Sequence, residues 1–270
     1  MLRWLLVSLL FFSAHGAVAS EGSLLFGVNE GSSGSADFLQ RQGKYRSLAD
    51  YVSGVVKKPV KLESAQDLRS LKTNLHSGHF DLLMVRPSHI SAAAMRDQKY
   101  VLVAAAKGEA ISSFIVNKDS AFKGPADLAG KSIAMPDEDA YPTHIALAML
   151  KEAGIKPETQ NIRFFRTQEA VGYSVEQKLV DVGVVISYSK VAREWEGKGH
   201  RVLWKSKPLP YWSVIASPRL SPDTVSKVRE ALLKLNDTPE GEKILKGMGV
   251  SSFVAGSQKD YMDLLAYLKE

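Results

Sequence analysis

Apolar residues fall along this chain in short dense runs, separated by stretches where they recur at helical spacing. Leu24–Val28 is the first run, and Pro59–Leu62, Asp81–Val85 and Tyr100–Ala106 follow. Asp81–Val85, DLLMV, is apolar at every position after the first, which suits a strand buried on both faces of a parallel sheet. Between the runs, Tyr45, Leu48, Ala49, Val52, Val55 and Val56 share one helical face, as do Leu68, Leu71 and Leu75. Ser77-Gly78 closes the second helix, glycine being the usual left-handed stop. A third helix, Ile90–Met95, is built mainly from small residues. Strand and helix thus alternate through short loops, which predicts an α/β fold with a mainly parallel sheet.

The rhythm breaks twice. Glu109–Asn117, EAISSFIVN, is a strand with no helix before it, and Leu209–Ser217, LPYWSVIAS, repeats the pattern. Between the breaks the alternation resumes, with strands at Lys131–Met135, Ile162–Phe165, Val182–Ile186 and Arg201–Trp204. Helices are expected from Pro142, over Thr167–Lys178 and over Tyr188–Gly197. After Ser217 only helices are expected: Ser221–Leu235, Pro239–Gly247 and Gln258–Leu268. This pattern implies two α/β lobes, the second inserted into the first, with crossings at Ile111–Asn117 and Trp212–Ser217. The expected division is 20–108 with 213–270 in lobe 1, and 109–212 in lobe 2. A ligand would lie in the cleft between them, touched by loops at the carboxyl ends of strands.

The first nineteen residues stand apart. Arg3 is a positive n-region, Trp4–Phe12 an apolar core and Ala17-Val18-Ala19 a small-residue cleavage site, as in a secretory signal peptide. That core is too short for a membrane span. The expected mature chain, Ser20–Glu270, is then exported, soluble and periplasmic. With no cysteine in the sequence, disulfides, thiol nucleophiles and thiolate metal sites are excluded. The net charge of +6 fits an anionic ligand, but Lys and Arg are scattered, with no basic run interleaved with aromatics. Nucleic acid is therefore not expected as a partner.

Candidate chemistry concentrates after the Lys131–Met135 strand. A polar loop, Asp137–Tyr141, leads to Pro142 at the start of a helix, with Thr143 and His144 in its first turn. Backbone N–H groups at such an end favour anions. The same acids Asp137, Glu138 and Asp139, with His144, could supply acid–base or metal chemistry, the best case for an exported enzyme. No G-x-S-x-G or H-E-x-x-H motif accompanies them. His76 and His79 flank a helix end, yet lack a nearby third ligand in the sequence, so no metal and no cofactor is expected.

Four stretches carry a family resemblance: KYRSLADYVS at Lys44–Ser53, LHSGHFDLLMVRPSHISAA at Leu75–Ala93, NKDSAFKGPADLAGKSIAMP at Asn117–Pro136, and the closing segment from Ser206 to Gly249. In order and spacing the chain resembles the periplasmic solute-binding proteins of phosphate/phosphite/phosphonate-type ABC transporters. The resemblance implies a type II, two-lobed clamshell and a non-enzymatic role. Tyr45 matches the family's pocket tyrosine. Elsewhere the pocket departs from the family: Glu138, Asp139 and Ala140 stand where its Ser-Thr-Ser run lies, and Gln168 replaces its histidine. Tyr188 and Trp212 stand where it grips an amino group with acids, and Ile90 replaces an aromatic beside His89.

The candidate lining is accordingly Tyr45, Ser88, His89, Ser113, Tyr141, Thr143, His144, Arg166, Ser187, Tyr188 and Trp212. It is rich in hydroxyls and aromatics, with Arg166 as the guanidinium for a planar or tetrahedral anion. Ser88 and Ser187 also read as helix caps, Trp212 as hinge packing and His144 as a solvated first-turn residue. The expected function is capture of a small anionic ligand, phosphate- or phosphonate-like, by a monomer. Its expected partner is an ABC permease in the inner membrane, or the periplasmic domain of a sensor kinase.

Overall fold

The computed structural model describes residues 22–31, 38–65 and 67–270. The expected signal peptide and most of the Gly/Ser-rich loop after Asn29 lie outside the described residues. Two sheets organise the chain. The first contains β1 (Leu24–Asn29), β2 (Val60–Ser64), β3 (Leu82–Val85), β4 (Val101–Ala106), β10 (Ser213–Ala216) and β11 (Phe253–Val254), in the order β11-β4-β10-β3-β1-β2. The second contains β5 (Ser112–Val116), β6 (Ser132–Met135), β7 (Asn161–Phe164), β8 (Val182–Ile186) and β9 (Arg201–Lys205), ordered β7-β6-β8-β5-β9. Each sheet is parallel except where β10, β11, β5 and β9 enter antiparallel.

The strands without a preceding helix are inner strands of the two sheets. The crossings lie just upstream of them, at 107–111 and 206–212, and they pair with each other. Ala110 and Leu209 exchange both backbone hydrogen bonds, at 3.1 and 3.0 Å. The crossings expected at Ile111–Asn117 and Trp212–Ser217 overlap β5 and β10, because an apolar hinge and an apolar strand read alike in sequence. β11 leaves no signal in the sequence, for two residues are too few to show a period.

Helices cover both faces of each sheet. α1 (Phe38–Val56), α7 (Pro222–Leu233) and α8 (Pro239–Met248) share a core with Phe26, Val28, Leu82, Met84 and Val214. On the opposite face, α2 (Leu68–His76) and α3 (Ser88–Asp97) pack with Leu83, Val85, Leu102 and Ile215. Alternate residues of one strand thus enter opposite cores, the physical reason that DLLMV has no polar face. In the second sheet, α4 (Tyr141–Glu152) covers Ile133, Met135, Val182, Val184 and Ile186. α5 (Gln168–Glu176), with Trp195 just beyond α6 (Lys190–Glu194), covers Ala134 and Val185.

Side-chain caps set several helix starts, a local effect readable in the sequence. Asp67, Thr167, Ser189, Ser221 and Thr238 each accept a backbone N–H of the first turn. α9 (Gln258–Leu268) packs on both lobes: Tyr261 and Leu265 join the first lobe's core, Leu264 and Leu268 the second's. Its Tyr261 hydroxyl donates to the Tyr211 carbonyl in the crossing, at 3.0 Å.

Candidate functional site

Sheet register assembles the centre of the cleft. β1 and β3 are parallel neighbours with Asn29 opposite Val85, so the residues that follow, Glu30 and Arg86, emerge side by side. β10 runs antiparallel to β3 with Ser213 opposite Val85, which sets Trp212 beside Arg86. Three adjacent strand ends thus supply an acid, a guanidinium and an indole. From the other lobe, Tyr188 follows the carboxyl end of β8.

Arg86 lies between aromatic faces. Its guanidinium carbon is 4.3 Å from the Trp212 ring centroid and 5.1 Å from that of Tyr188, a cation–π arrangement spanning both lobes. Tyr45 meets Trp212 edge-on at 5.9 Å, and Tyr211 flanks Tyr188 at 5.3 Å. Trp212 is fully buried and, among the described residues, its Nε1–H has no hydrogen-bond partner. A buried indole N–H ordinarily finds an acceptor, which sets this one apart from the other buried donors of the centre.

Glu30 is the counter-charge. Its Oε1 accepts from Lys44 Nζ at 2.5 Å and from the Tyr45 hydroxyl at 2.6 Å, and lies 3.7 Å from Arg86. Burial pushes the Glu30 carboxyl up, but the Lys44 and Tyr45 hydrogen bonds and the Arg86 charge outweigh it, leaving the carboxyl below its usual value. Burial, and then the Glu30 charge, drive the Tyr45 phenol upward, so it stays a donor. Burial likewise raises Tyr188 against the pull of Arg86.

Of the residues expected from sequence, Tyr45, Tyr188 and Trp212 converge here. Several hydroxyls are engaged by backbone. Ser88 Oγ donates to the Tyr211 carbonyl at 2.8 Å, and Tyr141 Oη to that of Pro210 at 3.1 Å. Thr143 Oγ1 reaches the Pro136 and Asp137 carbonyls. Ser187 Oγ donates to the Glu109 carbonyl and accepts from the Ile111 N–H. Ser113 and Ser187 line a small cavity of about 160 Å³ in the second lobe, together with Lys205. Arg166 is exposed at the end of β7, an edge strand. His89 and His144 stack on each other at 4.5 Å, beside Glu270 rather than beside Arg86. Glu30 and Arg86 were not singled out from sequence. The available signal was their position, each directly after a parallel strand.

The acidic loop faces outward. Glu138 and Asp137 are exposed, Asp137 accepts the Asp139 N–H, and Asp139 pairs with Lys72 of the first lobe at 2.6 Å. Asp137 and Asp139 are engaged separately from His144, whose imidazole pairs with Glu270. Because both partners of the Lys72–Asp139 pair are more than 40% exposed, solvent screens it. Lys72→Met is expected to cost no more than about 0.5 kcal/mol in urea unfolding at low salt, and nearly nothing at high salt.

Two lobes joined by two crossings thus meet around a buried, charged, aromatic centre, the build of a clamshell solute-binding protein. A family model for periplasmic substrate-binding proteins of phosphonate ABC transporters matches residues 37–261. The chain belongs to that family. No curated protein sequence matches it. Among solved structures, XAC2383 from Xanthomonas citri bound to ATP is similar at 15% identity and TM-score 0.77, covering 92% of this chain and 97% of that one. PhnD1 from Prochlorococcus marinus with methylphosphonate gives 15% identity and TM-score 0.74 with the same coverage. A binding protein component of a phosphonate ABC transporter from Pseudomonas aeruginosa gives 17% identity and 0.68, covering 92% and 86%. These likenesses establish the type II binding-protein fold.

Proposed function

We propose that the protein captures a small, singly charged oxyanion of the phosphonate or phosphite type between its lobes. It would present this ligand, as a monomer in the periplasm, to an inner-membrane ABC permease. The observation that carries the reading is Arg86, held between Tyr188 of one lobe and Trp212 of the crossing. A guanidinium in that position can pair with two oxygens of a tetrahedral anion, while the Trp212 N–H supplies a further donor. Formal charges narrow the ligand. Lys44 and Arg86 against Glu30 leave one positive charge, which a monoanion neutralises. A dianion would set excess negative charge beside Glu30 in a poorly solvated cleft. Family membership supports the permease as partner, and no observation favours a sensor kinase.

Titration of the mature protein with methylphosphonate, phosphite, phosphate, sulfate and ATP tests this, followed by calorimetry and tryptophan fluorescence. We expect saturable binding of a small phosphorus oxyanion with a change in emission that Trp212→Phe removes. Trp195 and Trp204 stack on His200 and Phe114 in the second lobe and should report little. Binding of cationic or neutral solutes only would overturn the reading.

A further inference from the structure

His89, His144 and Glu270 form a second cluster, separate from the Arg86 centre. His89 stands in the first turn of α3 in the first lobe, and His144 in the first turn of α4 in the second. Glu270 follows α9, and its main-chain carbonyl accepts from Arg96 Nη1 of α3 at 2.9 Å. One ligand atom from each of the three side chains lies within 4.8 Å of the others. His89 is 2% exposed, and among the described residues neither of its ring nitrogens, nor Nε2 of His144, has a side-chain hydrogen-bond partner, with the Asp139 main chain approaching His89. Buried imidazole nitrogens without partners are costly unless something occupies them. The only direct polar contact inside the cluster is His144 Nδ1 with Glu270 Oε1.

We infer that His89, His144 and Glu270 are a binding site for a borderline transition-metal ion of the zinc type, made only when the lobes close. Two imidazoles and one carboxylate match the donors such ions take, whereas magnesium and calcium prefer all-oxygen sets. Three protein ligands leave one position for water. A cavity of about 520 Å³, lined by His76, His89, Lys72 and Glu270, adjoins the cluster and offers a route in. Metal binding requires neutral imidazole, so zinc affinity should fall as the pH is lowered. Because His144 comes from the opposite lobe, the ion stabilises the closed form. By reciprocity it raises affinity for whatever the cleft binds, and that ligand raises affinity for the ion. The inference needs only closure, and stands whether or not the oxyanion assignment does.

The test uses the mature chain without a polyhistidine tag, stripped with chelator and titrated calorimetrically with zinc chloride, with magnesium chloride as control. One zinc ion per chain is expected to bind, with a rise in the thermal midpoint and no response to magnesium. His144→Gln and Glu270→Gln should each weaken zinc binding by about tenfold or more. Both positions are partly exposed, so folding of each variant is checked by circular dichroism, and either suffices alone. No zinc binding by the wild type, or binding undiminished in a folded variant, would overturn the inference. Undiminished binding would direct attention to His79 and Glu63, which already pair at 3.0 Å.

Discussion

Arg86→Ala should remove most of the affinity for an oxyanion, by about 2 kcal/mol or more, which is roughly a thirtyfold weakening. The guanidinium is buried between Trp212 and Tyr188, so a ligand that pairs with it does so away from water. Folding should survive, because Glu30 keeps Lys44 and Tyr45 as partners. Arg86→Lys should recover part of the loss: it restores charge but not the planar fork or the stacking. The paired measurement is Arg166→Ala. With its side chain exposed at the end of β7, it should shift affinity by no more than about 0.5 kcal/mol. Calorimetric titration of all three variants with methylphosphonate decides the matter. Wild-type binding by Arg86→Ala together with loss in Arg166→Ala would move the anion site to the β7 end of the second lobe.

That contrast shows where the linear sequence stops being informative. Arg86 and Arg166 occupy equivalent positions in the chain, each shortly after an apolar run. What separates them is strand order. β3 is an inner strand between β1 and β10, so its loop opens on the cleft, while β7 is the edge of its sheet. Nothing in the spacing of residues carries that order. The lobes themselves were legible, because strands covered on both faces must be apolar throughout, as Leu82–Val85 is. The double break in βα rhythm was legible too, since an antiparallel strand needs no crossover helix. Hydroxyls are ambiguous in sequence for a different reason. Ser88, Thr143 and Ser187 satisfy carbonyls at loops and helix starts, a local use of the same chemistry that binds ligands. The histidine pair was visible residue by residue, but its carboxylate partner, Glu270, comes from the far end of the sequence and only α9 returns it.

Glu30→Gln is expected to act in opposite directions on stability and on binding. In the unliganded protein the carboxylate compensates Arg86 and Lys44 within a largely buried cluster. Removing one charge from such a group commonly costs about 3 kcal/mol, which urea unfolding at neutral pH should register. The pH dependence identifies the cause. The folded-state carboxyl sits below its ordinary value of 4.5, so the folded protein binds fewer protons than the unfolded chain in mild acid. Its stabilisation is complete above that unfolded value and is lost as pH falls through the folded one. Wild type and Glu30→Gln should therefore converge in stability on acidification below about pH 4.5 and differ most at neutral pH. Binding should move the other way. Glu30 Oε1 lies 3.7 Å from Arg86 and competes with an incoming anion for the same guanidinium. With glutamine there, the cluster carries two formal positive charges instead of one, and a dianion becomes acceptable. Affinity for phosphate near neutral pH should rise relative to that for a monoanion, read by calorimetry at two pH values. An unchanged preference between the two charge states would mean that Glu30 holds the fold and plays no part in selecting the ligand.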